Sequence, residues 1–397
     1  MKTGKELKNR TFSTNPVFEY LPEGDKFILE MEKPEFRFNI IGSGVMGQEH
    51  IRITLMEGRA TVHGIYDPNP KSVEMGKNMF AFMGSKEVPV IYDSLDAACN
   101  DPDVDGLIIC TPNFSHIDVV RVAAKSGKHI LLEKPMATTI ADAKEIAEIA
   151  KNYKGVFQIG LQYRYKAMYV EAIHEGLERK SVGDIKMISI TEHRLPFLDK
   201  VNQWNKFSKY SGGTLVEKCC HYFDLMNLFA QSKPKEVYAT GSMAVNFLDF
   251  EHKGQQSDIL DNAFVNVIYE NNIRAAFNLC MFSPMFYEEL VLCGDEGRLR
   301  TYECEDFLPG ERLKTSLEIM RGEGKPSRVS TPTYPTYIEN TGHSGATYYE
   351  HINFVDNIKG VKTNTATVDE GYWSIVVGAA AEESAKTGKP VLIQDLI

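Results

Sequence analysis

A glycine-rich turn, Gly42-Ser43-Gly44-Val45-Met46-Gly47, constrains this chain more than any other feature; it follows the apolar run FNII and precedes an amphipathic stretch. Glycines at that spacing let backbone N–H groups and a helix N-terminus approach a pyrophosphate that side chains would hold away. Around the turn, short apolar runs alternate with longer amphipathic ones. FRFNIIG, TVHGIYD, VPVIY, GLIICTP and HILLEKP read as strands; Gln48 to Gly58, Pro70 to Met83, Ser94 to Asn100, Ser115 to Ser126 and Ile140 to Lys151 read as helices. This alternation predicts βαβ crossovers and a doubly wound parallel sheet, a Rossmann domain over residues 36–154. Residues 1–35 are polar, with Pro16, Pro22 and Pro34 and one apolar patch at Phe27-Ile28-Leu29. They read as an arm that packs on a neighbouring subunit or over the cofactor, or as a loosely ordered terminus.

After residue 154 the pattern changes. Strand-like VFQIGLQYRY and KMISITEHRL flank a helix from Ala167 to Arg179, and Gly212-Gly213 open a helix to Ala230. Hairpin-like runs follow, with turns at Asn271-Asn272 and Gly294 to Gly297, then a helix from Asp369 to Lys386 and a final strand PVLI. Residues 155–397 therefore read as an α+β domain on a large, mainly antiparallel open sheet, and the chain as α/β overall.

Two domains suit 397 residues. No apolar run approaches the roughly 18 residues of a membrane span, and a net charge of −10 without a basic stripe argues against nucleic acid. The first residues carry no apolar stretch of the kind a secretory signal needs. Seven cysteines without a C-x-x-C pair read as reduced thiols in a cytoplasmic protein.

Asp67 ends the second expected strand 25 residues after Gly42. An acid there accepts the ribose hydroxyls and repels a 2′-phosphate, which selects NAD over NADP; it would equally serve as a helix cap. Ligands of open α/β sheets bind outside the carboxyl ends of the strands, so Thr111, Pro112 and Asn113 should border the nicotinamide ribose. His116 either touches the ligand or caps the next helix. The run HILLEKPM delivers Glu133, Lys134 and Pro135 to the same edge. Oxidising a secondary alcohol needs a base for its proton and a cation to steady the developing alkoxide. Lys134 suits the second role, with a cis Pro135 aiming it, although a lysine beside a glutamate is by itself more often a surface pair. In GGTLVEKCCHYFDLM, Glu217 and His221 stand at i and i+4, where a carboxylate can hold a histidine in one tautomer as a base. Asp224 either orients His221 from the next turn or serves the core. Cys219-Cys220 lacks ligand spacing, so no metal site is expected. Gly342-His343-Ser344-Gly345, beside Tyr348-Tyr349, reads as a sugar-binding loop or a glycine-hinged connection.

Taken together, FNIIGSGVMG, TPNFSH, LLEKP, QYRY and GGTLVEKCCHYFDLM, in that order, resemble the glucose-fructose oxidoreductase / inositol dehydrogenase / rhizopine-catabolism (Gfo/Idh/MocA) family from about Phe36 onward. The resemblance implies a Rossmann domain followed by an α/β domain whose open sheet mediates homo-oligomerisation as a dimer or tetramer. It implies that Lys134 polarises the alcohol and His221 is the general base. Glu217 falls where the family commonly has aspartate, one methylene shorter, and Lys218 and Cys219 replace small apolar residues. Glu133 and Lys134 would also face the cofactor, and substrate contacts would come from Tyr163, Arg164, His193, Arg194 and Trp204, joined by His343 if its loop binds sugar. The expected activity is hydride transfer between NAD and a secondary hydroxyl of a sugar, glycoside or cyclitol, plausibly carbon 3 of a glucoside. An NAD-dependent glycosidase using transient oxidation and a non-catalytic NAD-binding regulator are the other readings.

Overall fold

The computed structural model describes residues 34–85, 87–306 and 313–397, so the expected arm over 1–35 lies almost wholly outside the described residues. The chain forms two compact units. Of the described residues, one comprises those through Met136, Glu145–Gln162 and Tyr334–Val368; the other comprises those within Ala137–Lys144, Tyr163–Thr333 and Asp369–Ile397.

In the first unit, strands β1 (Phe36–Ile41), β2 (Ala60–Tyr66), β3 (Val90–Ile91), β4 (Gly106–Ile109), β5 (His129–Glu133) and β6 (Phe157–Gly160) pair in parallel in the order 3-2-1-4-5-6. The strand order reverses between β1 and β4, and the crevice at that switch point is where such sheets bind ligands. The helices of the crossovers are α1 (Val45–Glu57), α2 (Pro70–Phe82), α3 (Leu95–Asn100) and α4 (His116–Ala123), followed by α5 (Ile140–Lys151). Helices cover both faces of a parallel sheet, which explains why β4 is buried at every position. Phe38, Ile40, Ile65, Ile108 and Leu131 make its core, each such side chain contributing about 1.5–3 kcal/mol by leaving water. Five strands are legible in the sequence; the sixth is Phe157–Gly160, cut from the run VFQIGLQYRY, whose QYRY turns into a 3-10 segment. The unit is completed by α10 and α11, described below.

In the second unit the helices are α6 (Ala167–Ile173), α7 (Ser208–Ser211), α8 (Thr214–Glu217) and α9 (Cys220–Ala230). The strands are β7 (Ile185–His193), β8 (Pro234–Ser242), the short hairpin β9 (Glu251–His252) and β10 (Gln255–Gln256), then β11 (Asn262–Tyr269), β12 (Arg274–Cys280), β13 (Phe286–Gly294), β14 (Arg298–Glu305), β15 (Lys314–Met320), β16 (Arg328–Ser330) and β17 (Val391–Leu392). Nine of them form one sheet in the order 16-15-14-13-7-12-11-8-17, antiparallel except for the β7–β12 pair. Alternation decides its faces. In β11 Ala263, Val265 and Val267 are buried beneath α9, whereas Phe264 on the opposite face is 60 % exposed.

Residues 334–368 rejoin the first unit through α10 (Thr336–Glu339) and α11 (Ala346–Ile358), where Phe354 and Val355 pack on Phe38 and Leu131. The last helix, α12 (Val368–Thr387), places Val376, Val377 and Ala380 in the core of the second unit. Among the described residues no helix is long and apolar enough to cross a membrane.

Candidate active site

β1 delivers the chain into the glycine turn at the carboxyl edge of the parallel sheet. Gly42 has φ +93°, and a Cβ there would stand 2.8 Å from the Cys110 carbonyl oxygen; a Cβ on Gly47 would stand 2.1 Å from that of Gly42. Those two glycines let the turn close on β4 and on itself. Gly44 is different, because a Cβ there would meet nothing within 4 Å. The space beside it is open.

Ser43 Oγ, Thr111 Oγ1 and Asn113 Nδ2 are buried polar atoms with no hydrogen-bond partner among the described residues. They follow β1 and β4, the two strands at the switch point, and leaving such groups unsatisfied costs about 1–3 kcal/mol each. A dinucleotide's phosphates and ribose hydroxyls would satisfy them, so the residues present fit NAD. Val45 and Met46 open α1, Val45 with half its surface exposed. Pro112 precedes the 3-10 turn Asn113–Ser115. Asp67 stands at the end of β2 with both oxygens anchored: Oδ2 accepts the Ser43 N–H and Oδ1 that of Asn69, each at 2.8 Å. Asn69, not Asp67, caps α2.

His116 is fully buried and spans the two loops of this edge. Its Nδ1 lies 2.9 Å from the Pro135 carbonyl oxygen and its Nε2 2.9 Å from that of Thr111. Burial outweighs both carbonyls and lowers its proton affinity. It therefore sits between the loop after β4 and the segment after β5 and starts α4, and its neutral ring has one N–H to give to one of these two carbonyls. Lys134 is half-buried at the carboxyl end of β5 and precedes a cis Lys134–Pro135 bond. Glu133 is buried, with Oε1 2.8 Å from His50 Nε2 and Oε2 accepting the Lys134 backbone N–H at 3.0 Å. His343 also belongs to this unit. It has φ +53°, as does Ser344 with +55°, and its Nδ1 is 2.8 Å from Glu49 Oε1.

In the second unit the expected single helix from Gly213 to Ala230 is two. Glu217 ends α8 and His221 stands in the first turn of α9, with Lys218 and Cys219 between them. Gly213, at φ +92°, makes room for Glu382 of α12, whose Oε1 accepts the Leu215 N–H at 2.7 Å; a Cβ on Gly213 would stand 2.3 Å from that oxygen. Burial, helped by Asp258 and opposed by the Leu215 bond, pushes the Glu382 carboxyl up to about 7. A raised carboxyl supports the fold fully below its unfolded value of 4.5 and loses that support as pH climbs through 7. Glu382→Gln, which keeps the acceptor, should flatten this slope. Urea denaturation from pH 4.5 to 8 should find the variant equal to wild type at the acid end and more stable by up to about 3 kcal/mol at the alkaline end. Parallel profiles would refute it.

His221 is buried, and its ring stacks on Tyr163 at 4.0 Å between centroids with 9° between planes. The Tyr163 hydroxyl is held by Lys218 Nζ, which lies 3.1 Å from the buried Glu192 carboxylate. Lys218 thus balances the Glu192 charge and clamps the ring beside His221. Glu217 Oε1 accepts from Lys200 Nζ at 3.3 Å, and the same ammonium sits 4.6 Å from the Trp204 ring centroid. Trp204 is 8 % exposed. Arg164 is buried in a bidentate pair with Asp224, both bonds 2.6 Å, and reaches Glu370 at 3.0 Å. The Asp224 carboxylate is thus turned to Arg164. His193 ends β7 near Tyr287, and Arg194 Nε donates to the Leu195 carbonyl at 3.0 Å. Sequence reasoning did not single out His50, Glu350, His351 or Glu192. His50 alone left a trace, three residues after Gly47; the others become partners only through the fold.

Residues 36–161 match the oxidoreductase family with an NAD-binding Rossmann fold, and residues 174–393 match that family's C-terminal alpha/beta domain. The chain belongs to the Gfo/Idh/MocA oxidoreductase family. Members similar to it include the myo-inositol 2-dehydrogenase of Thermotoga maritima, 23 % identical over 365 residues covering 91 % of this chain and 99 % of that one. The inositol 2-dehydrogenase of Rhizobium meliloti is 25 % identical over 72 % of this chain and 79 % of its own. Among solved structures, levoglucosan dehydrogenase in complex with NADH superposes with a TM-score of 0.72 at 18 % identity, covering 90 % of this chain and 99 % of that one. Its NAD cofactor follows from the family of its Rossmann domain.

Proposed function

We propose that this chain is an NAD-dependent dehydrogenase of a secondary hydroxyl on a sugar, glycoside or cyclitol, with carbon 3 of a glucoside the position to test first. The observation that carries the reading is the placement of Lys134. It leaves the carboxyl end of β5, beside the β4 loop whose Thr111 and Asn113 carry unsatisfied polar atoms, and His116 sits between the two segments. Bound NAD supplies a nicotinamide ring that accepts a hydride. The chain's own groups do the rest: Lys134 steadies the alkoxide oxygen, and His221 takes the hydroxyl proton. Glu217 supports the helix turn that carries the base. The names of the inositol and levoglucosan dehydrogenases support a polyol substrate. Tyr163, His193, Arg194 and Trp204 are the proposed substrate contacts, Tyr163 through the edge of the ring it stacks on His221; Arg164, committed to Asp224, acts behind them.

The test is NADH absorbance with purified protein across inositols, free sugars and glycosides, run separately with NAD and NADP. Sustained NADH production without release of the aglycone supports the reading. Aglycone loss would favour glycosidic cleavage, and NAD binding without turnover on any polyol would favour a regulator. Asp67→Asn keeps an acceptor for the Ser43 N–H but removes the charge. A hydrogen bond to a charged group contributes about 1.5–3 kcal/mol, so the NAD/NADP preference should fall by about 10- to 100-fold; an unchanged ratio would take cofactor choice away from Asp67. The free state of all seven cysteines supports a cytoplasmic setting. The exposed outer face of the large sheet, with Met187, Phe264 and Met320, supports assembly as a homo-oligomer, and light scattering would report it.

A further inference from the structure

Behind Lys134 the first unit holds a chain of ionisable side chains with no access to water. His50 on α1 is fully buried; its Nδ1 is 2.8 Å from His351 Nε2 on α11 and its Nε2 is 2.8 Å from Glu133 Oε1. Glu133 Oε2 accepts the Lys134 N–H. Thr54, one turn beyond His50, gives its hydroxyl hydrogen to the His50 carbonyl at 2.7 Å, so only lone pairs face His351 Nδ1, 3.4 Å away.

Hydrogen-bond accounting places the protons. His351 Nδ1 carries a hydrogen towards Thr54, and its Nε2 must then accept, which makes His50 Nδ1 a donor. The remaining proton lies on the line between His50 Nε2 and Glu133 Oε1. Burial opposes charge on His50, but the Cys110 sulfur and the Glu133 carboxylate outweigh it and hold its proton affinity well above the ordinary imidazole value. Burial and His50 together keep His351 neutral. The result is an imidazolium–carboxylate pair sealed inside the unit. His50, His351 and Glu133 are each at most 3 % exposed, so the chain is a fixed charge arrangement and not a proton exit.

Glu350 lies beside it, fully buried, with neither oxygen hydrogen-bonded among the described residues. Burial and the nearby Glu133 raise its carboxyl well above the usual range, so it sits there as a neutral acid. His50, Glu133 and Glu350 offer donor atoms within 4.8 Å of one another, as a cation site would. Both nitrogens of His50 are already committed, however, and a cation would have to displace one of the partners just described.

We propose that His50 is a positioning residue for Lys134, acting through Glu133: its doubly protonated ring keeps Glu133 ionised and turned so that this carboxylate fixes the Lys134 peptide and faces its ammonium with a negative charge. This rests on the reading of Lys134 as the group that steadies the alkoxide. The ionisable groups that face the chain are Glu49 on α1, Cys110 after β4, His343 before α11, and Glu350 and His351 on α11. Glu49 is held at about 2, against burial, by His343 and Thr347. Burial raises the Cys110 thiol, and the neighbouring His50 opposes that rise.

The test is His50→Gln, which offers Glu133 a neutral donor, with kcat followed from pH 6 to 10 alongside NADH binding. Without the imidazolium, Glu133 takes up a proton and Lys134 loses its negative neighbour. We expect kcat to fall about 10- to 100-fold and the alkaline limb of its pH profile to move down by about one pH unit, with NADH affinity within about threefold of wild type. Glu133→Gln should give the same displaced limb, and the double variant no more than either single one. A wild-type limb in both single variants overturns the inference, whatever happens to kcat. If neither variant folds, 15N-histidine spectra of the wild-type enzyme decide: one ring must keep both nitrogens protonated to pH 9, and none doing so overturns it. Divalent metal that survives dialysis at one per chain and is lost in Glu350→Gln would also overturn it. An active Lys134→Met enzyme would remove the underlying reading; an inactive one with an undisplaced limb in His50→Gln would remove this inference alone.

Discussion

Lys134→Met is expected to lower kcat by about 10³- to 10⁴-fold while NADH binding stays within a few-fold. Methionine has similar length and no charge, so the half-buried site keeps its packing and loses only the ammonium. A single preorganised donor aimed at developing negative charge is worth about 10²- to 10³-fold, and its share in lowering the alcohol's proton affinity adds to that. In the proposed site the dinucleotide would rest on the open space at Gly44 and on Ser43, Thr111 and Asn113, none of which needs the lysine. The discriminating pair of measurements is steady-state NADH formation and NADH fluorescence titration. A kcat within about tenfold of wild type would take Lys134 out of the chemistry.

His221→Asn should cost about 10²- to 10⁴-fold in kcat and, more tellingly, erase the acidic limb of the pH–rate profile. The base must be neutral to accept the hydroxyl proton, so wild-type oxidation should fall as pH drops and His221 takes up a proton. Asparagine has no group that titrates there, and the residual rate should climb with hydroxide. The variant also loses the parallel stack on Tyr163, worth about 0.5–1.5 kcal/mol, so its melting temperature should fall by only a few degrees. Survival of the acidic limb would assign the base to another residue. Glu217→Gln offers a finer comparison. With its carboxylate beside Lys200 and its residue at the end of α8, its loss should cost less than that of His221.

The doubly wound sheet was legible because its signals are local. An apolar strand, a glycine turn and an amphipathic helix each show their period within about ten residues, and Gly42, Gly44 and Gly47 sit where the backbone has no room or needs room. The open antiparallel sheet was legible for the same reason, from its alternating strands and turns. The sixth parallel strand was hidden because VFQIGLQYRY reads as one run; only Phe157–Gly160 finds a partner edge, along β5. The break between α8 and α9 has no strong local cue either. Lys218 and Cys219 stay in right-handed conformations, and the helix changes there while Lys218 reaches Glu192 and Tyr163.

Residue types told which chemistry to look for, and neighbours decided what each residue does. Sequence alone determined a dinucleotide turn after β1, an acid after β2, a lysine after β5 and a glutamate–histidine pair behind two glycines, because each is a short-range pattern with a physical requirement behind it. Only the tertiary structure returned residues 334–368 to the Rossmann unit, turned Arg164 onto Asp224, set His116 between two carbonyls and sealed His50 between His351 and Glu133. Those partnerships join residues up to 301 positions apart. The reason is that burial makes every unpaired polar group costly, so the final fold, and no local pattern, chooses which groups satisfy one another.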